Sequence, residues 1–95
     1  MSDRRLEELR REIDAVDDQL VAVLADRAAL VREVWALKRA KGLAMRDADR
    51  EAAIRERALS RARARELHPE VLEAVLRLVV GRDLTQPLAH GDIPE

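Results

Sequence analysis

The sequence predicts an all-α fold with one long and two shorter helices per chain, assembled as an intertwined helical homodimer. Residues 1–41 contain neither glycine nor proline, and apolar residues recur there at alternating spacings of three and four residues. No segment shows the period-two alternation of a strand. The 95 residues are 47% hydrophobic and 39% charged, a composition typical of one soluble, helix-rich domain.

The long helix is predicted from about residue 4 to Lys41. Its apolar residues follow a heptad pattern, interrupted once by Arg27, and this heptad stripe consists of Leu6, Leu9, Ile13, Val16, Leu20, Val23, Leu30, Val34 and Leu37. Such a helix spans roughly 55 Å, about twice the diameter of a compact chain of this length. The helix therefore protrudes unless a second chain covers it, and an intertwined dimer is the simplest way to do so.

The second helix is predicted to begin after Asp47 and to run to about Arg65. Gly42 is suited to end the first helix, since glycine adopts the left-handed conformation of a C-cap. Asp47 is a good N-cap, and acidic residues at 49 and 51 favour a first helical turn. The apolar face of this helix is thin, so we expect close packing.

The third helix is predicted to begin at Pro69, because proline is well suited to the first helical position. Its broad apolar face consists of Val71, Leu72, Val75, Leu76, Leu78, Val79 and Val80. We expect Pro87 to end this helix. Residues 1–86 would then form the domain, and residues 87–95 a disordered tail.

Composition excludes several classes of function. A net charge of −1 and the shortage of aromatic residues argue against nucleic-acid binding. There is no cysteine, and the two histidines are far apart in sequence, so we expect no metal site. No apolar run reaches the ~20 residues of a membrane span, and the N-terminus lacks the apolar stretch of a signal peptide. We therefore expect a cytoplasmic protein that contacts neither nucleic acid nor membrane.

Three cations on the first helix are candidates for binding a small dianion. Arg27 interrupts the heptad stripe, and Lys38 lies within ~20° of the same face, ~16 Å further along the axis. Arg10 lies ~42 Å from Lys38, so these two can share a ligand only between antiparallel chains. With a twofold axis near residue 21, Arg10 of one chain falls near residues 32–33 of the other. The structural alternative for each is an ion-paired or solvated cation.

Charge is also concentrated at the start of the second helix, in MRDADRE (45–51). Capping explains Asp47, Asp49 and Glu51. In the functional interpretation, Arg50 and Glu51 lie at the edge of a pocket and offer it a cation and a hydrogen-bond acceptor.

Three blocks resemble the all-helical class of chorismate mutases: LRREIDAVDDQLVAVLADRAALVREV (9–34), MRDADREAAI (45–54) and, more weakly, LHPEVLEAVLRLVV (67–80). The resemblance covers about residues 6–86 without a gap from Leu9 to Val80. It implies a homodimer of three-helix chains that converts chorismate to prephenate, toward phenylalanine and tyrosine. That reaction is a unimolecular rearrangement that requires no cofactor.

The resemblance also implies roles for individual residues. Arg10 of the partner chain and Arg27 would bind the substrate carboxylates, and Lys38 would contact a carboxylate and the ether oxygen. Asp47 and Glu51 would hold the ring hydroxyl.

Arg50 would lie beside those two carboxylates. Catalysis would then come from holding the reactive conformer and from stabilising the charge that develops on the ether oxygen.

The end of the third helix departs from the family's pattern, which has a small polar residue and, four positions later, a Gln or Glu that reaches the ether oxygen. A gapless register puts Asp83 and Pro87 at these places. A register with one residue deleted near Gly81 puts Gln86 at the second. We favour Gln86 as the catalytic donor.

Two other interpretations stay open. One is a sister enzyme on the same scaffold, an isochorismate-pyruvate lyase or a 4-amino-4-deoxychorismate mutase. The other is a non-catalytic helical dimerisation module, which the cations of the proposed pocket argue against. The chain offers no second domain for regulation, so we expect regulation to require a partner, such as an activating enzyme.

Overall fold

The computed structural model describes residues 2–88, and these form three helices joined by short connections. The helices are α1 (Ser2–Lys41), α2 (Ala48–Ala64) and α3 (Pro69–Val79). The described residues contain no strand. The predicted all-α class and the order of one long and two shorter helices are confirmed. Of the predicted tail, residues 89–95 lie outside the described part of the chain.

Helix α1 is one uninterrupted helix of 40 residues, and its end follows from Gly42. This glycine has a φ of +66°. Its amide donates to the carbonyl of Arg39 at 3.3 Å, and the amide of Leu43 donates to the carbonyl of Lys38 at 2.9 Å. These two bonds form a Schellman motif, which satisfies carbonyls that the end of a helix would otherwise leave without a partner.

The heptad stripe of α1 is uncovered in the single chain. Its large apolar residues are 40–61% exposed, and the molecule is 62 Å long. The accessible surface is 8311 Å², about one and a half times the ~5500 Å² expected for a compact monomer of this mass. Ala28 and Ala62 are the buried hydrophobic residues of the described chain. The described residues of a single chain thus form almost no core of their own.

A second stripe of α1 faces the other two helices. It occupies the C-terminal half of α1 and contains that helix's less exposed residues: Leu24, Arg27, Ala28, Val31, Trp35 and Lys38. We call it the inner stripe. Arg27 belongs to it, although the heptad count also places Arg27 in the exposed stripe. The inner stripe directs side chains of α1 toward α2 and α3.

Helices α2 and α3 pack against each other, and they are the pair of described helices whose Cα atoms come within 8 Å. Ala62 on α2 is only 2% exposed. Arg55 on α2 and Glu73 on α3 form an ion pair with two hydrogen bonds, one of them 3.2 Å between Nε and Oε2. Within residues 2–88, no helix is both long and apolar enough to cross a membrane.

The predicted end of α3 at Pro87 is wrong, because α3 ends at Val79. Val80 has an extended backbone with ψ of 129°, and Gly81 has a φ of +73°. The chain therefore leaves the helix at the first glycine after the apolar face, before it reaches the proline. Residues 80–88 follow as turns without helix.

Candidate active site

Four parts of the chain meet at one end of the molecule: the end of α1, the loop before α2, the first turn of α2 and the segment after α3. One cavity of about 540 Å³ lies among them, lined by Trp35, Met45, Arg46, Glu51, Val80, Gly81 and Arg82. A second cavity of about 420 Å³ is lined by Lys38, Leu43, Ala44, Arg46, Asp47, Ala48 and Asp49. Both contain Arg46, so they adjoin.

Lys38 is half-buried at the edge of the second cavity. Its Nζ donates to the carbonyl of Met45 at 3.0 Å, which ties the loop before α2 to the inner stripe of α1. An ammonium group has three donors. Two of them are therefore available beyond this bond.

Asp47 and Glu51 lie one turn apart at the start of α2. Oδ1 of Asp47 accepts a hydrogen bond from the amide of Arg50 at 3.0 Å, so Asp47 is the N-cap, as predicted. Glu51 is half-buried, and its Oε2 lies 3.5 Å from Nη2 of Arg46. The structure thus places these two acidic residues and Lys38 at the same end of the molecule. Glu51 lines one of the two adjoining cavities, and Asp47 and Lys38 line the other.

Arg27 lies on the inner stripe, 11 residues before Lys38, at the place where α1 contacts the end of α3. Its Nη1 donates to the carbonyl of Val79 at 3.2 Å, and the contact is partly buried. A cation at this place complements the negative end of the α3 dipole. The guanidinium has five donors, so most of its donor capacity remains.

Three further predicted site residues line neither of the two cavities. Arg10 is exposed near the other end of α1, ~42 Å from Lys38 along the helix. The side chain of Arg50 is exposed, although its amide is bonded to the cap. Gln86 is exposed and lies outside α3, with its amide donating to the carbonyl of Asp83 at 3.1 Å.

The side chain of Asp83 is hydrogen-bonded within its own turn. Its Oδ1 accepts hydrogen bonds from the hydroxyl of Thr85 at 2.6 Å and from the amide of Thr85 at 2.9 Å. These two bonds, together with the charge of Arg32, hold the pKa of Asp83 below its ordinary value. This carboxylate therefore stabilises the turn after α3.

Sequence reasoning assigned no site role to six of the seven residues that line the larger cavity, among them Trp35, Arg46 and Gly81. The inner stripe could have indicated Trp35, but this stripe is less regular than the heptad stripe beside it on α1. Arg46 directly precedes the cap residue Asp47, and Gly81 is the first glycine after α3. Their shared cavity depends on how α1 and the α2–α3 pair are placed. Within residues 2–88, no group of three or more metal-ligating side chains is present.

Comparison with known proteins decides the family. The model of the family described as chorismate mutase type II matches residues 9–82, which include all of α2 and α3 and both cavities. The chain belongs to the chorismate mutase type II family. The resemblance carried by the three sequence blocks is confirmed. Six of the seven predicted site residues lie inside the matched range, and Gln86 lies outside it.

Relatives of this chorismate mutase family chain are longer proteins. It is 38% identical over 83 residues to the T-protein of Enterobacter agglomerans, and the matched segment covers 87% of this chain and 22% of that protein. It is 33% identical over 79 residues to the bifunctional chorismate mutase/prephenate dehydratase of Escherichia coli (strain K12), covering 83% and 20%. The chain spans about a fifth of the length of these relatives. No solved structure gives a significant match.

Proposed function

We propose that this chain is a chorismate mutase, a cytoplasmic enzyme that rearranges chorismate to prephenate in the biosynthesis of phenylalanine and tyrosine. One observation carries the proposal. The inner stripe of α1 directs two half-buried cations, Arg27 and Lys38, toward the end of α3 and the start of α2. Membership of the chorismate mutase type II family supports it, as does the name of the bifunctional relative.

The spare donors of these cations suit a substrate that is a dianion. Arg27 and Lys38 each use one donor on a backbone carbonyl and keep others for carboxylates. Holding both carboxylates fixes the side chain of the substrate over its ring, and that is the main requirement of a unimolecular rearrangement. Lys38 would also stabilise the negative charge that develops on the ether oxygen as its bond to carbon breaks.

The first turn of α2 supplies acceptors for the ring hydroxyl. Asp47 and Glu51 are proposed to hold this hydroxyl, with Arg50 beside them. Glu51 is among the residues that line the larger cavity, and Asp47 is among those that line the smaller one. The reaction needs no cofactor, because it is a unimolecular rearrangement in which these groups bind and orient the substrate and stabilise the charge on its ether oxygen.

Gln86 is proposed as a second donor to the ether oxygen. It follows the cavity-lining residues 80–82 by four positions in a segment without helix. To act there, Gln86 would have to enter the cavity through a rearrangement of these turns. Without that change, Lys38 alone stabilises the ether oxygen.

The active unit is proposed to be a homodimer in which Arg10 of one chain completes the site of the other. The uncovered heptad stripe supports a partner chain, since its apolar residues are 40–61% exposed along nearly the whole of α1. An exposed apolar surface of this length marks an interface between proteins. In an antiparallel pair, Arg10 falls between Arg27 and Lys38 of the partner chain. Any regulation would involve a further partner, such as an activating enzyme.

The test is to incubate the purified protein separately with chorismate, isochorismate and 4-amino-4-deoxychorismate, and to identify the products by mass and ultraviolet spectra. We expect prephenate from chorismate. Lys38→Ala, purified in the same way, controls for contaminating host enzyme and should form almost none. Turnover of another compound alone would contradict the proposal in favour of a sister enzyme. No turnover of any would favour a non-catalytic module.

A further inference from the structure

The carboxylate of Glu51 lies close to a guanidinium and to a glycine. Oε2 lies 3.5 Å from Nη2 of Arg46. On the other side, a Cβ at Gly81 would lie 3.5 Å from Oε1, so the backbone of the turn after α3 stands close against the carboxylate. All three residues line the larger cavity. Glu51 therefore presents itself to that cavity as one half of an ion pair.

An ion-paired carboxylate treats a hydroxyl and an ammonium group differently. A carboxylate has about four lone-pair positions, so Glu51 can accept a bond from a hydroxyl while it keeps Arg46. An ammonium group would compete with Arg46 for the same negative charge and would be repelled by it. Arg82 also lines this cavity, and its Nε donates to the carbonyl of Arg77 at 3.0 Å.

We propose that Arg46 is a specificity-determining residue, which makes the Glu51 end of the site accept a substrate ring that carries a neutral hydroxyl and reject one that carries an ammonium. The inference rests on the proposed function and names the substrate class of the same site. Exposed ion pairs are weak in water. The side chain of Arg46 is 85% exposed, so the inference requires that a bound substrate displace water from it, which would strengthen the repulsion between the two cations.

The experiment compares kcat/KM for chorismate and for 4-amino-4-deoxychorismate in the wild type and in R46Q, R46K and R39Q. We expect R46Q to lower the preference for chorismate by about three- to tenfold, mainly through a gain for the amino compound. R46K keeps the positive charge and should keep the preference. R39Q is the matched control, since it removes an exposed guanidinium from the last turn of α1.

A second readout is the pH dependence of the preference. In the wild type, the preference should fall as the pH rises through the pKa of the substrate amine, because the neutral amine is no longer repelled. In R46Q this dependence should be weaker. An unchanged preference in R46Q, or an equal change in R39Q, would overturn the inference.

Trp35 makes the inference testable apart from catalysis. It is the single tryptophan of the chain and lines the same cavity. If no variant turns over either compound, the proposed function fails. Dissociation constants measured from the fluorescence of Trp35 then give the preference directly, and a preference that R46Q does not reduce contradicts the inference.

Discussion

Nη1 of Arg27 lies 3.2 Å from the carbonyl oxygen of Val79, and this hydrogen bond joins α1 to the last residue of α3. The carbonyl is one of those that the end of a helix leaves without an intrahelical partner. The bond therefore ties a proposed substrate-binding cation to the segment that continues into the larger cavity through Val80 and Gly81. Loss of Arg27 should therefore lower both the stability of the fold and the activity of the site.

Arg27→Ala should lower kcat/KM for chorismate by about 10²- to 10³-fold, because a preorganised donor to the substrate is lost. It should also lower the free energy of unfolding by about 1 kcal/mol, since the carbonyl of Val79 loses its partner. Arg27→Lys should restore stability better than activity, because an ammonium cannot bind a carboxylate through two parallel bonds. Steady-state kinetics and urea denaturation measure the two effects. Wild-type activity in Arg27→Ala would contradict the proposed site.

Arg10→Ala and Arg27→Ala should complement each other in a mixed dimer. Each homodimer should be folded but nearly inactive. A heterodimer of the two variants has one site that lacks both arginines and one intact site, so about half of the wild-type activity should return. Differently tagged chains allow the heterodimer to be isolated and assayed. An isolated heterodimer without activity would refute the donation of Arg10 by the partner.

Ile13→Glu should dissociate the proposed dimer. Ile13 is 57% exposed on the heptad stripe, and a carboxylate buried there in an interface would lack a partner. We expect the dissociation constant to rise by at least about 100-fold, measured by sedimentation equilibrium. Ala15→Glu adds the same charge to another, exposed face of α1 and should leave the dimer intact. A wild-type monomer at micromolar concentration would contradict the dimer itself.

Gly81→Val should disturb both stability and substrate binding. At a φ of +73°, a side chain costs about 1–2 kcal/mol, and a branched one here meets the carboxylate of Glu51, which lies 3.5 Å from the Cβ position. Gly42→Val is the matched control, because Gly42 has a φ of +66° but no atom within 4 Å of its Cβ position. We expect similar losses of stability in urea but a higher KM only in Gly81→Val. Equal KM values in the two variants would show that Gly81 does not position Glu51.

Glu73→Gln should weaken the packing of α2 against α3 in a pH-dependent way. The hydrogen bond from Arg55 is the main cause that holds the pKa of Glu73 below its ordinary value of 4.5. The stabilisation is therefore fully present above that ordinary value and is lost as the pH falls through the lower folded-state value.

The Tm of Glu73→Gln should accordingly lie below that of the wild type at pH 7, and the gap should close at acid pH. Thermal melts followed by circular dichroism at several pH values provide the measurement. Glu56→Gln, at an exposed position of α2, is the control and should show a smaller gap. A gap that persists at acid pH would assign the effect of Glu73 to packing rather than to its charge.

Local signals predicted most of the fold. Gly42, Asp47 and Pro69 each act within a few residues, by allowing or satisfying a helix end, and the observed ends agree with them to within about two residues. The end of α3 was predicted wrongly because Pro87 is a strong stop signal while Gly81 is a weaker one. The extended Val80 and the left-handed Gly81 leave the helix beside Glu51. That contact is between residues far apart in sequence, and no local rule predicts it.

The sequence by itself determined three helices, the long heptad stripe and the type of each charged residue, because helices form through bonds between residues four apart and faces follow from their period. Only the tertiary structure decided what those charges contact. Arg27 reaches a carbonyl 52 residues away, and Glu51 lies between Arg46 and Gly81. Such contacts depend on where the α2–α3 pair sits along α1, which side-chain packing fixes and helical periodicity does not.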